Sequence, residues 1–149
     1  MQVEIKIDES CSAPRVIILT DKMTDEINGL IKKITEPAFT PSVLMAFKGE
    51  QAFILDCNKV IRFYTANQKV YGVTGEGEYV MRLRLYELEE RLSGQNFVRI
   101  SHSEIISLKA VKGLDLSFAG TICVSYKHSA AVSYVSRRYV AKIKQMLGI

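Results

Sequence analysis

The sequence is poor in the side chains that most often carry chemistry. Its only histidines are His102 and His128, and neither has a partner ligand at helical spacing. Its three cysteines, Cys11, Cys57 and Cys123, are odd in number and far apart. Neither a disulfide framework nor a Cys-x-x-Cys metal knuckle is visible, and a reducing cytoplasm fits, with Cys57 and Cys123 packed inside. No apolar run approaches the ~18 residues of a membrane-spanning helix. The opening Met1-Gln-Val-Glu-Ile-Lys-Ile-Asp8 alternates and lacks the apolar core of a signal peptide, so a cytoplasmic location is expected.

Catalytic patterns are missing too. No serine or cysteine stands in a nucleophile-elbow context. Glu87, Glu89 and Glu90 read as a solvated helix face. Gly72-Val-Thr-Gly75-Glu-Gly77 suggests a phosphate loop, but it carries acids and precedes a strand, so it reads as a tight turn. There is no βαβ rhythm, which argues against a parallel nucleotide-binding sheet. The expectation is a non-enzyme with no metal, cofactor or small-molecule substrate.

The 149 residues are 48% apolar and 24% charged, ordinary for one globular domain with a small appendage. Charge is uneven along them. Residues 1–97 carry 12 Lys+Arg and 14 Asp+Glu, net −2, whereas 98–149 carry 8 and 2, net +6. A basic final third suits phosphates or an anionic surface.

Patterning predicts a mainly β (α+β) chain. Gln2–Ile7 and Arg15–Thr20 read as strands, and Thr24 caps a helix over 24–35 with Ile27, Leu30, Ile31 and Ile34 as its stripe. Pro37 and Pro41 bracket a linker, so 1–42 is a strand-strand-helix appendage, expected either to mediate dimerisation or to sense a signal, and 43–149 the body. In the body, strands are expected at Val43–Phe47, Gln51–Leu55, Val60–Thr65, Lys69–Thr74, Glu78–Met81, Phe97–Ile100, Val111–Leu116, Thr121–Tyr126 and Ala131–Val135. A short helix spans Leu85–Leu92. A terminal helix runs from Ser136, its cap, to Leu147, with Gly148 in the C-cap place.

Three polar clusters stand out. Ser136-Arg137-Arg138 opens the last helix, where the dipole repels cations by roughly 0.3–1 kcal/mol each when exposed, while the free N–H groups welcome a phosphate. Arg137 could instead fold back on a carboxylate such as Glu104. Arg99-Ile-Ser-His-Ser-Glu104 sets the short donors Ser101, His102 and Ser103 after a strand. Asn67-Gln68-Lys69 forms a hairpin tip that is either a plain turn or a reach into a groove.

Two stretches then point to a family. Phe97-Val-Arg-Ile-Ser-His-Ser-Glu-Ile-Ile-Ser-Leu108, followed by Tyr134-Val-Ser-Arg-Arg-Tyr139, resembles the LytTR DNA-binding domain. Val60-Ile-Arg-Phe-Tyr64 and Leu85-Tyr-Glu-Leu-Glu-Glu-Arg-Leu92 fall where that family has a strand and a short helix. The resemblance covers about 45–149. It implies small packed antiparallel sheets, and transcriptional regulation by loops set into successive major grooves at paired direct repeats of double-stranded DNA. Reading groups would be Asn67, Gln68, Lys69, Ser101, His102, Ser103 and Arg137. Lys109, Lys112, Arg138 and Lys142 would meet phosphates, with Arg99 in the same polar stretch. The family often has His where this chain has Ser101, and Arg or Asn at His102. Small stand-alone members, without a receiver domain, imply a homodimer, often with a membrane protein that restrains it. The competing readings are an adaptor whose basic third meets an acidic protein or membrane surface, and an RNA binder, for which stacking aromatics are not evident.

Overall fold

The computed structural model describes residues 1–35 and 43–149. The chain divides into two units, Met1–Thr40 and Pro41–Ile149. The expected linker at Pro37 and Pro41 lies outside the described residues.

In the first unit one helix, α1 (Asp25–Thr35), forms as its signals predict. Thr24 Oγ1 accepts the Ile27 N–H at 3.3 Å, and the Thr24 carbonyl accepts the Asn28 N–H at 3.0 Å. Acids sit in its first turn and Lys32 and Lys33 in its last, both favoured by the dipole. The two strands expected at Gln2–Ile7 and Arg15–Thr20 do not form. The alternation of the first and the apolar run of the second mark chain that can pair, but a strand exists only when another strand takes its N–H and C=O groups. No such ladder is present among the described residues of this unit, and Val3, Ile5, Ile7, Val16, Ile17 and Leu19 stand exposed.

The second unit is built of hairpins. In chain order come β1 (Val43–Lys48), β2 (Gln51–Asp56), β3 (Val60–Ala66), β4 (Lys69–Thr74), β5 (Gly77–Met81), α2 (Leu85–Arg91), β6 (Phe97–Ser101), β7 (Glu104–Ser107), β8 (Val111–Asp115), β9 (Ile122–Tyr126), β10 (Ser129–Val135) and α3 (Arg137–Leu147). All pairings are antiparallel. One sheet has the order β2-β1-β5-β4-β3-β7-β6 and the other β10-β9-β8. The mainly β expectation is met, with one addition. β7 is absent from the sequence reading because Glu104-Ile-Ile-Ser107 is four residues long and does not alternate.

The reason is visible in its burial. Ile105 and Ile106 are both buried but face opposite sides, each into a different core. The first core joins Leu44, Ala46, Phe63, Val70 and Met81 to Leu85, Leu88 and Leu92 at α2. The second joins Ile61, Val98, Ile100 and Ile106 to Ile122, Val124 and Val135 of the small sheet and Ile143 of α3. Strands β3, β7 and β6 are therefore covered on both faces. Cys57 packs in the first core, where burial pushes its thiol up, and Cys123 is half-buried. Gly72 allows this closeness: a Cβ there would lie 3.1 Å from Phe63 and 3.2 Å from the Met81 sulfur.

Candidate nucleic-acid interface

The β3–β4 hairpin turns at Asn67 and Gln68, with φ of 51° and 62°. Two left-handed residues in a two-residue loop match the twist of the flanking strands. Asn tolerates this conformation, while Gln holds it at a cost of order 1 kcal/mol. Both side chains, and Lys69 beside them, are exposed.

β7 runs antiparallel to β3, with Tyr64 opposite Glu104. One step further, the Thr65 N–H donates to the Ser103 carbonyl at 2.9 Å. The β6–β7 turn is thereby fastened next to the Asn67–Gln68 tip. Within it the Ser103 N–H donates to Ser101 Oγ at 3.2 Å, and His102 and Ser103 face solvent.

The third cluster arrives through β6. The Ser136 N–H donates to the Ile100 carbonyl at 2.9 Å, which sets the start of α3 beside Ser101. Ser136 is the N-cap residue as expected, but its hydroxyl makes no capping bond. First-turn N–H groups of α3 thus lack that side-chain acceptor, and Arg137 and Arg138 project there, both exposed. At the other end Gly148, at φ 70°, closes the helix with its N–H on Gln145 and Lys144 carbonyls.

Three segments far apart in sequence so meet at one end of the body, each tied to its neighbour by a backbone hydrogen bond. Arg137 does not fold back on Glu104. That carboxylate is taken by Arg62 at 2.9 Å and by the Ser133 hydroxyl. Ser133 Oγ lies 2.6 Å from the Tyr126 hydroxyl. This chain of polar groups links β3 and β7 in the large sheet to β9 and β10 in the small one. Burial pushes the Tyr126 phenol up to about 12; the Ser133 hydrogen bond opposes that rise, the Glu104 carboxylate adds to it, and Arg62 opposes it.

Arg99 is committed inward. Its guanidinium donates to the Ser101 carbonyl at 2.8 Å and the His102 carbonyl at 2.6 Å, and lies 3.8 Å from Glu89. With its side chain 11% exposed, it shapes the turn from behind. Lys142 is exposed on α3, one helical turn beyond Arg138.

Lys109 and Lys112 are placed elsewhere. Lys109 donates to Asn58 Oδ1 at 3.3 Å, at the end of the sheet where β3 starts. There, with Lys59, Lys127 and His128, it lines a cleft of about 540 Å³. Lys112 follows Val111, which pairs with Tyr126, whereas the α3 end of the small sheet pairs Val135 with Ile122.

The sequence reading missed the segment that supports Arg137. Gly120, at φ 73°, lies so close that a Cβ on it would be 3.0 Å from Arg137 Nε. Phe118 meets Tyr134 edge-on nearby in sequence, with ring centroids 6.3 Å apart and both rings about half exposed. The glycine was the one local signal for that approach.

Comparison with known proteins decides what this arrangement belongs to. The family model described as the LytTr DNA-binding domain matches residues 50–148. The chain belongs to the LytTR family. Proteins of Staphylococcus aureus strains COL and N315, each described as an HTH-type transcriptional regulator, are 31% identical to it over 149 residues, covering 100% of this chain and 99% of each relative. A solved LytTr DNA-binding domain, from a methyl-accepting/DNA response regulator of Bacillus cereus, superposes with a TM-score of 0.69 at 21% identity, over 72% of this chain and 98% of that one. The LytTR fold is thus shown for the body. The helix-turn-helix in the relatives' description has no counterpart among the described residues, where strands separate all three helices.

Proposed function

We propose that this LytTR protein is a sequence-specific regulator of transcription that reads double-stranded DNA with the end of its body where the three clusters meet. Arg137 supplies a bidentate contact to a guanine edge, and Asn67 and Gln68 supply amides for adenine. Ser101, His102 and Ser103 form the middle contact, with Arg99 holding their backbone. Lys69, Arg138 and Lys142 neutralise phosphates. The protein works in the cytoplasm as a homodimer on paired direct repeats, its loops entering successive major grooves.

The observation that carries this reading is the pair of hydrogen bonds, Thr65 to Ser103 and Ser136 to Ile100, that brings separate donor clusters to one edge. The relatives described as transcriptional regulators support the biological role. Selection of bound sites from random duplexes tests it, followed by a shift assay on the selected site. Arg137→Ala should cost roughly 1–3 kcal/mol of specific binding and relax preference at one base pair. Enrichment of no sequence at all would refute the proposal.

A further inference from the structure

Within their own unit, the first 35 residues leave apolar side chains exposed. Val3, Ile5 and Ile7 are 84%, 85% and 94% exposed, and Val16, Ile17 and Leu19 are exposed as well. α1 has no buried residue, and Ile31 and Ile34 of its stripe face solvent. Apolar surface of this extent marks an interface.

The pattern of the segment names its partner. In an antiparallel pair, directly opposite residues share a face. Two copies of Gln2–Asp8 crossing at Ile5 set Val3 against Ile7, Ile5 against Ile5, and Glu4 against Lys6 twice over. A one-residue slip puts aliphatic side chains against charged ones. Crossing at Glu4 opposes two glutamates. Crossing at Lys6 opposes two lysines and sets Glu4 against Asp8. One register alone joins opposite charges and keeps all the aliphatic groups together.

We infer that residues 1–35 form a homodimerisation module in which Gln2–Asp8 pairs antiparallel with the same segment of a second copy, about a two-fold axis at Ile5. This deepens the homodimer named above and rests on that reading for the number of copies. A two-stranded ribbon is marginal by itself. Val16, Ile17, Leu19 and the α1 stripe of both copies therefore close over its aliphatic face. The contact is isologous, each copy offering the same patch.

Sedimentation of the full chain across concentration, without DNA, tests the register. The native chain should dimerise. Glu4→Lys and Lys6→Glu should each weaken the dimer roughly 5–10-fold, since each creates two like-charge oppositions. An equimolar mixture of these two variants should regain native affinity, because every such opposition then joins unlike charges. The double variant Glu4→Lys/Lys6→Glu should regain it also. A native chain monomeric at every concentration overturns the inference. So do single variants that dimerise as tightly as the native chain, or a mixture no tighter than its components. Shift assays on the same samples separate the two readings: a monomer that still selects its DNA site overturns the module alone, and a dimer that selects none overturns the DNA reading alone.

Discussion

Arg99 shows how an arginine in a basic segment is turned to an architectural task. Two carbonyls and a glutamate surround its guanidinium, so its charge is spent on the shape of the Ser101–Ser103 turn. Arg99→Ala should lower stability by about 1–3 kcal/mol, the cost of losing hydrogen bonds from a charged donor. It should also weaken specific DNA binding more than nonspecific binding, which a shift assay with both duplexes would report. A phosphate ligand would instead weaken both alike. Tyr126 gives a pH signature. Its phenol is pushed up to about 12 in the folded chain, against an ordinary value near 10. Below pH 10 both states hold the proton and the full stabilisation is present. As pH rises through 10 towards 12 the unfolded chain loses the proton first, so stability falls by roughly 2–3 kcal/mol. Urea midpoints over that range should show the fall, and Tyr126→Phe should flatten it.

Among the elements, the β3–β4 hairpin carries a local conflict. Gln68 at φ 62° is in a conformation that glycine adopts freely. Gln68→Gly should raise the urea midpoint, a stability gain of about 0.5–1 kcal/mol, and yet reduce affinity for the selected site. A drop in stability would show that the turn is not held in this form. The hairpins, α1, α2 and α3 were legible in the sequence because their signals are local: alternation, turn residues, Thr24, Ser136 and Gly148. β7 was not legible, since a strand covered on both faces loses its alternation. Gln2–Ile7, with a clear alternation, and Arg15–Thr20, with a continuous apolar run, failed in the opposite sense, since no strand pairs with either among the described residues of their own unit.

For the whole molecule, the +6 of residues 98–149 overstates what reaches one surface. Arg137, Arg138 and Lys142 sit at or near the reading end, while Lys109 and Lys112 lie towards the other and Arg99 points inward. Each phosphate neutralised should contribute about −0.9 to the slope of log affinity against log salt. Arg138→Ala with Lys142→Ala should therefore make that slope shallower by about 2, measured by titrating salt in a binding assay. Lys109→Ala with Lys112→Ala should leave it unchanged. If instead the second pair alters the slope, the DNA runs across the far end as well.

The sequence by itself determined the secondary elements of the body apart from β7, the mainly β class and the donors worth watching, because propensity, capping and turn chemistry act over a few residues. It also held Asn67, His102 and Arg137 in separate stretches with no sign of how far apart they lie. Tertiary structure decided that they share an edge, through two backbone hydrogen bonds that no local pattern encodes. It decided too which cations face outward, since the destination of a long charged side chain depends on which carbonyl or carboxylate the fold brings within its reach.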